Sequence, residues 1–234
     1  VLASRRGPTE ANAEARAELA AAGAVTLLCP VLDVSDHAAV SAFFGQGGGG
    51  GPSLASLPPL RGVVHSAGIV DDKKVADLDW ASFLKVMGPK VSGGWNLHAA
   101  TAGMDLDFFV LYSSATSVLG NAGQANYAAA NIYLDALAAR RRAAGLPALS
   151  VNWGPWAEVG MASRMDPAAL KMISSDAMIL PAEGMELLGQ MMAFSASHAA
   201  SHAAAAGGRA PAPPSATQLT VVSPKFLATL APES

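Results

Sequence analysis

Five short apolar runs recur along this chain, each separated from the next by a stretch long enough for a helix. They are AVTLL (24–28), RGVVH (61–65), DFFVLY (107–112), ALSVNW (148–153) and QLTVV (218–222). Helical patterns fill the gaps: 9–23, ending at Gly23; 37–45, capped by Asp36; 74–87; 91–102; 126–144, stopped by Gly145-Leu146-Pro147; and 181–193. Parallel strands cannot be joined by a tight turn and need a crossover, which a helix supplies. The alternation therefore predicts an α/β fold, a doubly wound parallel sheet with helices on both faces. DFFVLY is apolar along its length, as a strand covered on both sides should be.

In such sheets ligands bind beyond the carboxyl ends of the strands, near the topological switch point. Small or polar residues stand at four successive strand ends: Asp33, Ser66-Ala67-Gly68, Ser113-Ser114 and Gly154-Pro155. A dinucleotide fold should also open with a strand and a glycine-rich turn that brings a pyrophosphate to a helix N-terminus. The literal G-x-G-x-x-G matches fall in the run Gly45 to Gly51, which follows a helix and is rejected for that role. Val1-Leu2-Ala3 reads as the tail of a strand, so the expectation is a Rossmann-like domain lacking its first strand and glycine loop. Residues 1–194 are read as the main domain and 195–217 as an Ala/Gly/Pro-rich insertion without packed structure. Residues 218–234 are read as the last strand and a short end helix.

Composition narrows the function classes. A net charge of -3 gives no broad attraction to nucleic acid or to an anionic membrane. Arg140-Arg141-Arg142 is a local exception at a helix end, where cations suit the helix dipole. No apolar run reaches the length of a membrane span, and no signal peptide is visible. Cys29 is the single cysteine, so no internal disulfide can form; a reducing, cytoplasmic setting is expected. No His or Cys spacing suits a metal, and His65 reads as a packing residue at a strand end.

The chemistry concentrates in SSATSVLGNAGQANYAAANIY, residues 113–133. Ser114 and Tyr127 stand in a Ser-x12-Tyr pattern that suits protonation of a carbonyl. A lysine four residues after the tyrosine would complete it, but that position is Asn131. This stretch and its continuation to Trp156 resemble the core of the ketoreductase domains of modular polyketide synthases and the related type I fatty acid synthases. Those domains belong to the short-chain dehydrogenase/reductase superfamily. SRRGP (4–8), DVSD (33–36), GVVHSAGIVDD (62–72) and PKVSGGWNLH (89–98) extend the resemblance over nearly the whole chain. In that family the lysine comes from the PKV segment, which makes it Lys90, and asparagine takes the place four after the tyrosine.

The resemblance implies reduction of a β-ketoacyl thioester, carried on an acyl carrier protein, by NADPH. Tyr127 would donate the proton. Lys90 would lower the tyrosine pKa and bind the nicotinamide ribose. Ser114 would hold the carbonyl oxygen, and Asn131 would help hold Lys90 and a relay water. Ser4 and Arg5 would meet the 2′-phosphate, Asp33 and Val34 the adenine, and Ser66, Ala67, Gly68, Gly154 and Pro155 would line the cofactor. Asp72, Leu119 and Gln124 would set stereochemistry, with Trp156 and Met161 in a substrate lid. Val70-Asp71-Asp72, with Leu119 at a position where the opposite type carries tryptophan, favours the B-type, D-hydroxyl product. The other synthase domains are the expected partners. Two rivals stand beside this reading: a cofactor-incompetent fragment or structural half of such a domain, and a free-standing short-chain dehydrogenase.

Overall fold

The computed structural model describes residues 1–23, 30–45, 54, 57–160, 177–205 and 217–223. Four strands form one parallel sheet: β1 Gly62–His65, β2 Phe108–Ser114, β3 Leu149–Trp153 and β4 Gln218–Val221. They lie side by side in chain order, with Val64 opposite Val110, Ser114 opposite Trp153 and Trp153 opposite Val221. The reversal of strand order expected at a switch point does not occur among these four. Ser4 pairs with Val31 in a separate parallel bridge, where Leu32 N–H donates to the Ser4 carbonyl at 2.9 Å. That bridge falls just after Val1-Leu2-Ala3, which were expected to be a strand tail and are not in a strand.

The helices are α1 Ala13–Ala21, α2 His37–Phe43, α3 Trp80–Met87, α4 Gly93–Thr101, α5 Thr116–Leu119, α6 Ala125–Ala143 and α7 Pro181–Ala205. Asp36 caps α2 by accepting from Ala39 N–H at 3.0 Å, as its position predicts. The helix expected over 74–87 is divided. Val75–Asp77 is a single tight turn, and α3 begins only after Asp79, whose carboxylate accepts from Ser82 N–H at 2.7 Å. The helix expected near 91 starts earlier, as a π-helical turn over Gly88–Ser92 that runs into α4. Gly145, at φ 77, ends α6 and lets Leu146 N–H reach back to the Arg141 carbonyl at 2.9 Å.

One boundary moves. The helix expected over 181–193 continues to Ala205, so the proposed division at 194 falls inside α7. Alanine is the strongest helix former, and HAASHAAA extends the helix where low complexity suggested none. The expected strand 24–28, most of the glycine run and the expected end helix lie outside the described residues.

The period of two along the strands sorts the core into two layers. Phe109 and Leu111 of β2 pack against Leu97 of α4 and Leu134 and Leu137 of α6. Val110 faces the other way and joins Leu149, Val151 and Trp153 of β3 with Leu188 and Met191 of α7. Helices therefore cover both faces, as expected. On β3 the residues that turn toward α6 are Ser150 and Asn152, both fully buried and polar. The core beneath α6 is apolar at its lower end and hydrogen-bonded at its upper end, where β2 and β3 finish.

Candidate active site

β2 delivers Ser114 at its last position, and α6 presents Tyr127 in its first turn. Asn126, fully buried, secures that turn. Its Oδ1 accepts from Tyr127 N–H at 2.8 Å, and its Nδ2 donates to the Asp71 carbonyl at 3.0 Å. The π-helical turn carries Lys90 inward until 2% of it is exposed. Its Nζ donates to the Tyr112 carbonyl at 2.8 Å and lies 5.4 Å from the centre of the Tyr127 ring. One turn after the tyrosine, Asn131 is fully buried. Its Nδ2 donates to the Tyr127 carbonyl at 2.7 Å, and its Oδ1 has no hydrogen-bond partner among the described residues. Ser114 Oγ accepts from Thr116 N–H at 3.2 Å and lies 3.0 Å from Thr116 Oγ1.

Burial dominates the electrostatics. It lowers the Lys90 pKa to about 8, with the Asp135 carboxylate acting in the opposite sense. It raises the Tyr127 pKa, while hydrogen bonding to Asn131 and Ser114 pulls it back and the charge of Asp72 adds to the rise. The expected lowering of Tyr127 by Lys90 is therefore not what the structure shows. The ammonium is directed to the Tyr112 carbonyl and sits over the ring, and the buried phenol loses more from desolvation than it gains. A tyrosine held in its protonated form is a loaded proton donor. His65 is pushed down to about 4 by burial first and then by the Lys90 charge, so it is neutral, a packed residue as its strand-end position suggests.

The remaining predicted residues divide into two groups. Ser4, Arg5, Asp33, Val34, Ser66, Ala67 and Gly68 stand at or beyond the carboxyl ends of β1 and of the Ser4–Val31 bridge. Hydrogen bonding from Ser35 lowers the Asp33 pKa against the opposing effect of burial, and the charge of exposed Arg5 adds a smaller lowering. Asp33 Oδ1 accepts from Ser35 N–H at 2.9 Å and Ser35 Oγ at 2.6 Å. Gln124 Nε2 donates to Asp72 Oδ2 at 3.0 Å, which ties two of the stereochemical candidates together. Leu119 is 42% exposed at the end of α5. Met161 lies outside the described residues.

Gly154 and Trp156 also take part in packing. A Cβ on Gly154 would stand 3.1 Å from the Val221 carbonyl oxygen, so this glycine admits the end of β4. Trp156 meets Trp153 edge to face at 4.8 Å, pairs with Ile179 and covers Gly184, which draws it toward the β3–α7 core. Pro155 accepts from Ile179 N–H at 2.8 Å in the same arrangement.

Three polar features were missed by sequence reasoning. Asp135 is buried below the strand ends, and Asn152 points at it from β3. Asp135 follows Asn131 and Tyr127 at spacings of four and eight, and that shared helix face was the available signal. Arg141 is fully buried as well, its guanidinium 3.8 Å from the Phe109 ring centre and bonded to the Pro147 carbonyl at 3.1 Å. Nothing in a run of three arginines marks the middle one as a core residue.

A family model described as the KR domain matches residues 1–158. The chain belongs to the KR domain family. Curated relatives of this KR chain are polyketide synthases. It is 45% identical over 179 residues to the spectinabilin polyketide synthase system protein NorB of Streptomyces orinoci, covering 74% of this chain and 8% of that protein. It is 48% identical over 179 residues to polyketide synthase GfsB of Streptomyces halstedii, covering 75% of this chain and 3% of that one. Among solved structures, an A1-type ketoreductase aligns with a TM-score of 0.78 at 35% identity, over 98% of this chain and 44% of its own. The ketoreductase from the first module of phoslactomycin biosynthesis in Streptomyces sp. HK803 aligns at 0.73 and 30% identity, over 98% and 48%. The chain thus spans under a tenth of these synthases and under half of these ketoreductase structures. No helix among the described residues is long and apolar enough to cross a membrane.

Proposed function

We propose that this KR chain is a β-ketoacyl reductase domain with Tyr127 as its proton donor, turning a β-ketoacyl thioester on an acyl carrier protein into the β-hydroxyacyl thioester. The observation that carries the reading is the convergence on Tyr127 of a lysine from 37 residues upstream and of Ser114 and Asn131. NADPH, when bound, would supply the hydride to the carbonyl carbon. The residues present fit it. Lys90 has three N–H donors and its one recorded hydrogen bond, to Tyr112, leaves others for ribose hydroxyls. Exposed Arg5 offers a guanidinium for a 2′-phosphate, Asp33 and Val34 would flank the adenine, and Ser66, Ala67 and Gly68 leave room for close approach.

Ser114 Oγ would donate to the substrate oxygen as negative charge grows there, and the Tyr127 hydroxyl would pass its proton to that oxygen. Lys90, charged and held against the face of the ring, would stabilise the phenolate left behind. Asn131 Oδ1, buried and unpartnered among the described residues, would accept from Lys90 or from a water that reloads the tyrosine. The test is NADPH oxidation by the synthase carrying this chain, with a β-ketoacyl N-acetylcysteamine thioester as substrate. The expected product is the β-hydroxyacyl thioester, formed one for one with NADP+. An absence of both contradicts the reading.

A further inference from the structure

Among the described residues Asp135 is the only buried acidic side chain, 9% exposed, and every hydrogen bond recorded for it comes from a neutral donor. Its Oδ1 accepts from Ser150 Oγ at 2.6 Å. Its Oδ2 is 2.9 Å from both Ser117 Oγ and Asn152 Nδ2, and 3.2 Å from Gln218 Nε2. These donors come from α5, β3 and β4, so one carboxylate gathers three elements under α6. A carboxylate withdrawn from water is costly and is retained only with its lone pairs satisfied, as here.

The network continues to the reacting groups. Asn152 Nδ2 also lies 2.6 Å from Ser117 Oγ, 3.1 Å from Ser113 Oγ and 3.4 Å from the Ser114 carbonyl. Ser117 Oγ lies 2.8 Å from that same carbonyl. Ser113 Oγ donates to the Asn131 carbonyl at 3.2 Å. The backbone of Ser114 and the backbone of Asn131 are therefore both held by groups that answer to Asp135. Lys90 is the second party. Its ammonium donates to the carbonyl of Tyr112, the residue next to Ser113, and lies against the Tyr127 ring; of His65 and Asp135, the titratable groups coupled to its charge, only Asp135 is anionic.

We propose that Asp135 is a positioning residue of this site: with Asn152 and Ser117 it fixes the Ser113–Ser114 end of β2, and its carboxylate is the counter-charge of the Lys90 ammonium. The kinetic part rests on the reductase reading above. Asp135→Asn in the intact synthase is the test, because the Asn152 amide, whose Oδ1 has no partner among the described residues, can turn over to meet the new group. Two readouts separate positioning from bulk stability. The pH midpoint of Lys90 acylation, read by peptide mass spectrometry, moves to lower pH because the ammonium has lost its opposing charge. The kcat falls on the order of 10²-fold while KM for NADPH holds. The exchange Asp135→Asn with Asn152→Asp returns the carboxylate to the other side of the same bond and restores part of both, and it serves the measurement should the single variant not fold. A folded variant with the wild-type Lys90 midpoint and kcat, altered only in melting temperature, overturns the proposal. A wild-type synthase without turnover strikes the reductase reading instead, and the Lys90 midpoint then decides this inference by itself.

Discussion

The Lys90 ammonium stands 5.4 Å from the centre of the Tyr127 ring, yet its hydrogen bond goes to the Tyr112 carbonyl, 2.8 Å away. A lysine on a π-helical turn and a tyrosine on the first turn of α6 meet because both helices pack on one face of the sheet. The contact places a charge against the face of the Tyr127 ring and leaves the ammonium with further donors.

The buried ammonium costs stability. The unfolded lysine holds its proton up to pH 10.5, whereas the folded one releases it near 8. The cost is complete below pH 8 and is relieved as pH rises from 8 to 10.5. It amounts to on the order of 3 kcal/mol, against about 1 kcal/mol returned by the bond to Tyr112. Lys90→Met should therefore abolish reduction yet unfold at a higher temperature than wild type at pH 7, with the gap closing toward pH 10. A melting series across that range checks it.

His65 works in the opposite pH range. Its folded pKa is near 4 and its unfolded value 6.5, so only the unfolded chain takes up this proton between them. Stability from this group is whole above pH 6.5 and is lost as pH falls toward 4, by on the order of 3 kcal/mol. Denaturant unfolding of wild type and His65→Gln should show the shallower acid loss in the variant. Parallel curves would refute the assignment.

Gly62 sits opposite Phe108 at the start of the β1–β2 ladder, and a Cβ there would run into the Phe108 ring. Gly62→Ala should cost about 1–3 kcal/mol. Phe108→Leu in the same chain should recover part of it, which a double-mutant cycle measures.

Asp72 and Gln124 are joined across the site by one bond of 3.0 Å. We predict the D-hydroxyl product from wild type. Gln124→Ala, which frees Asp72, should lower the ratio of D to L product without abolishing turnover. Chiral chromatography of the reduced thioester reads the ratio, and an unchanged ratio removes Gln124 from stereocontrol.

Much of this arrangement could be read from residue order. The runs RGVVH, DFFVLY, ALSVNW and QLTVV became β1 to β4; the two central strands, β2 and β3, are covered on both sides, while β1 and β4 keep exposed residues. The place of Lys90 followed from a resemblance, since no local rule links it to Tyr127. Four outcomes were not legible. The break before α3 comes from Asp79, one polar residue that caps a new helix inside an otherwise continuous helical pattern. The length of α7 depended on alanine propensity outweighing low complexity. The Tyr127 pKa was misjudged because sequence supplies the neighbouring charge but not the depth of burial. Asp135 and Asn152 were overlooked for a related reason: hydrogen bonds between α6 and β3 exist only once the sheet has brought them together.

The central claim is that Tyr127 delivers the proton. Tyr127→Phe removes the hydroxyl and keeps the ring over Lys90, so the fold and NADPH binding should persist. Reduction of a β-ketoacyl N-acetylcysteamine thioester should fall by at least about 10²-fold, in the range for loss of a general acid. A Tyr127→Phe protein that reduces the thioester at the wild-type rate would contradict the account.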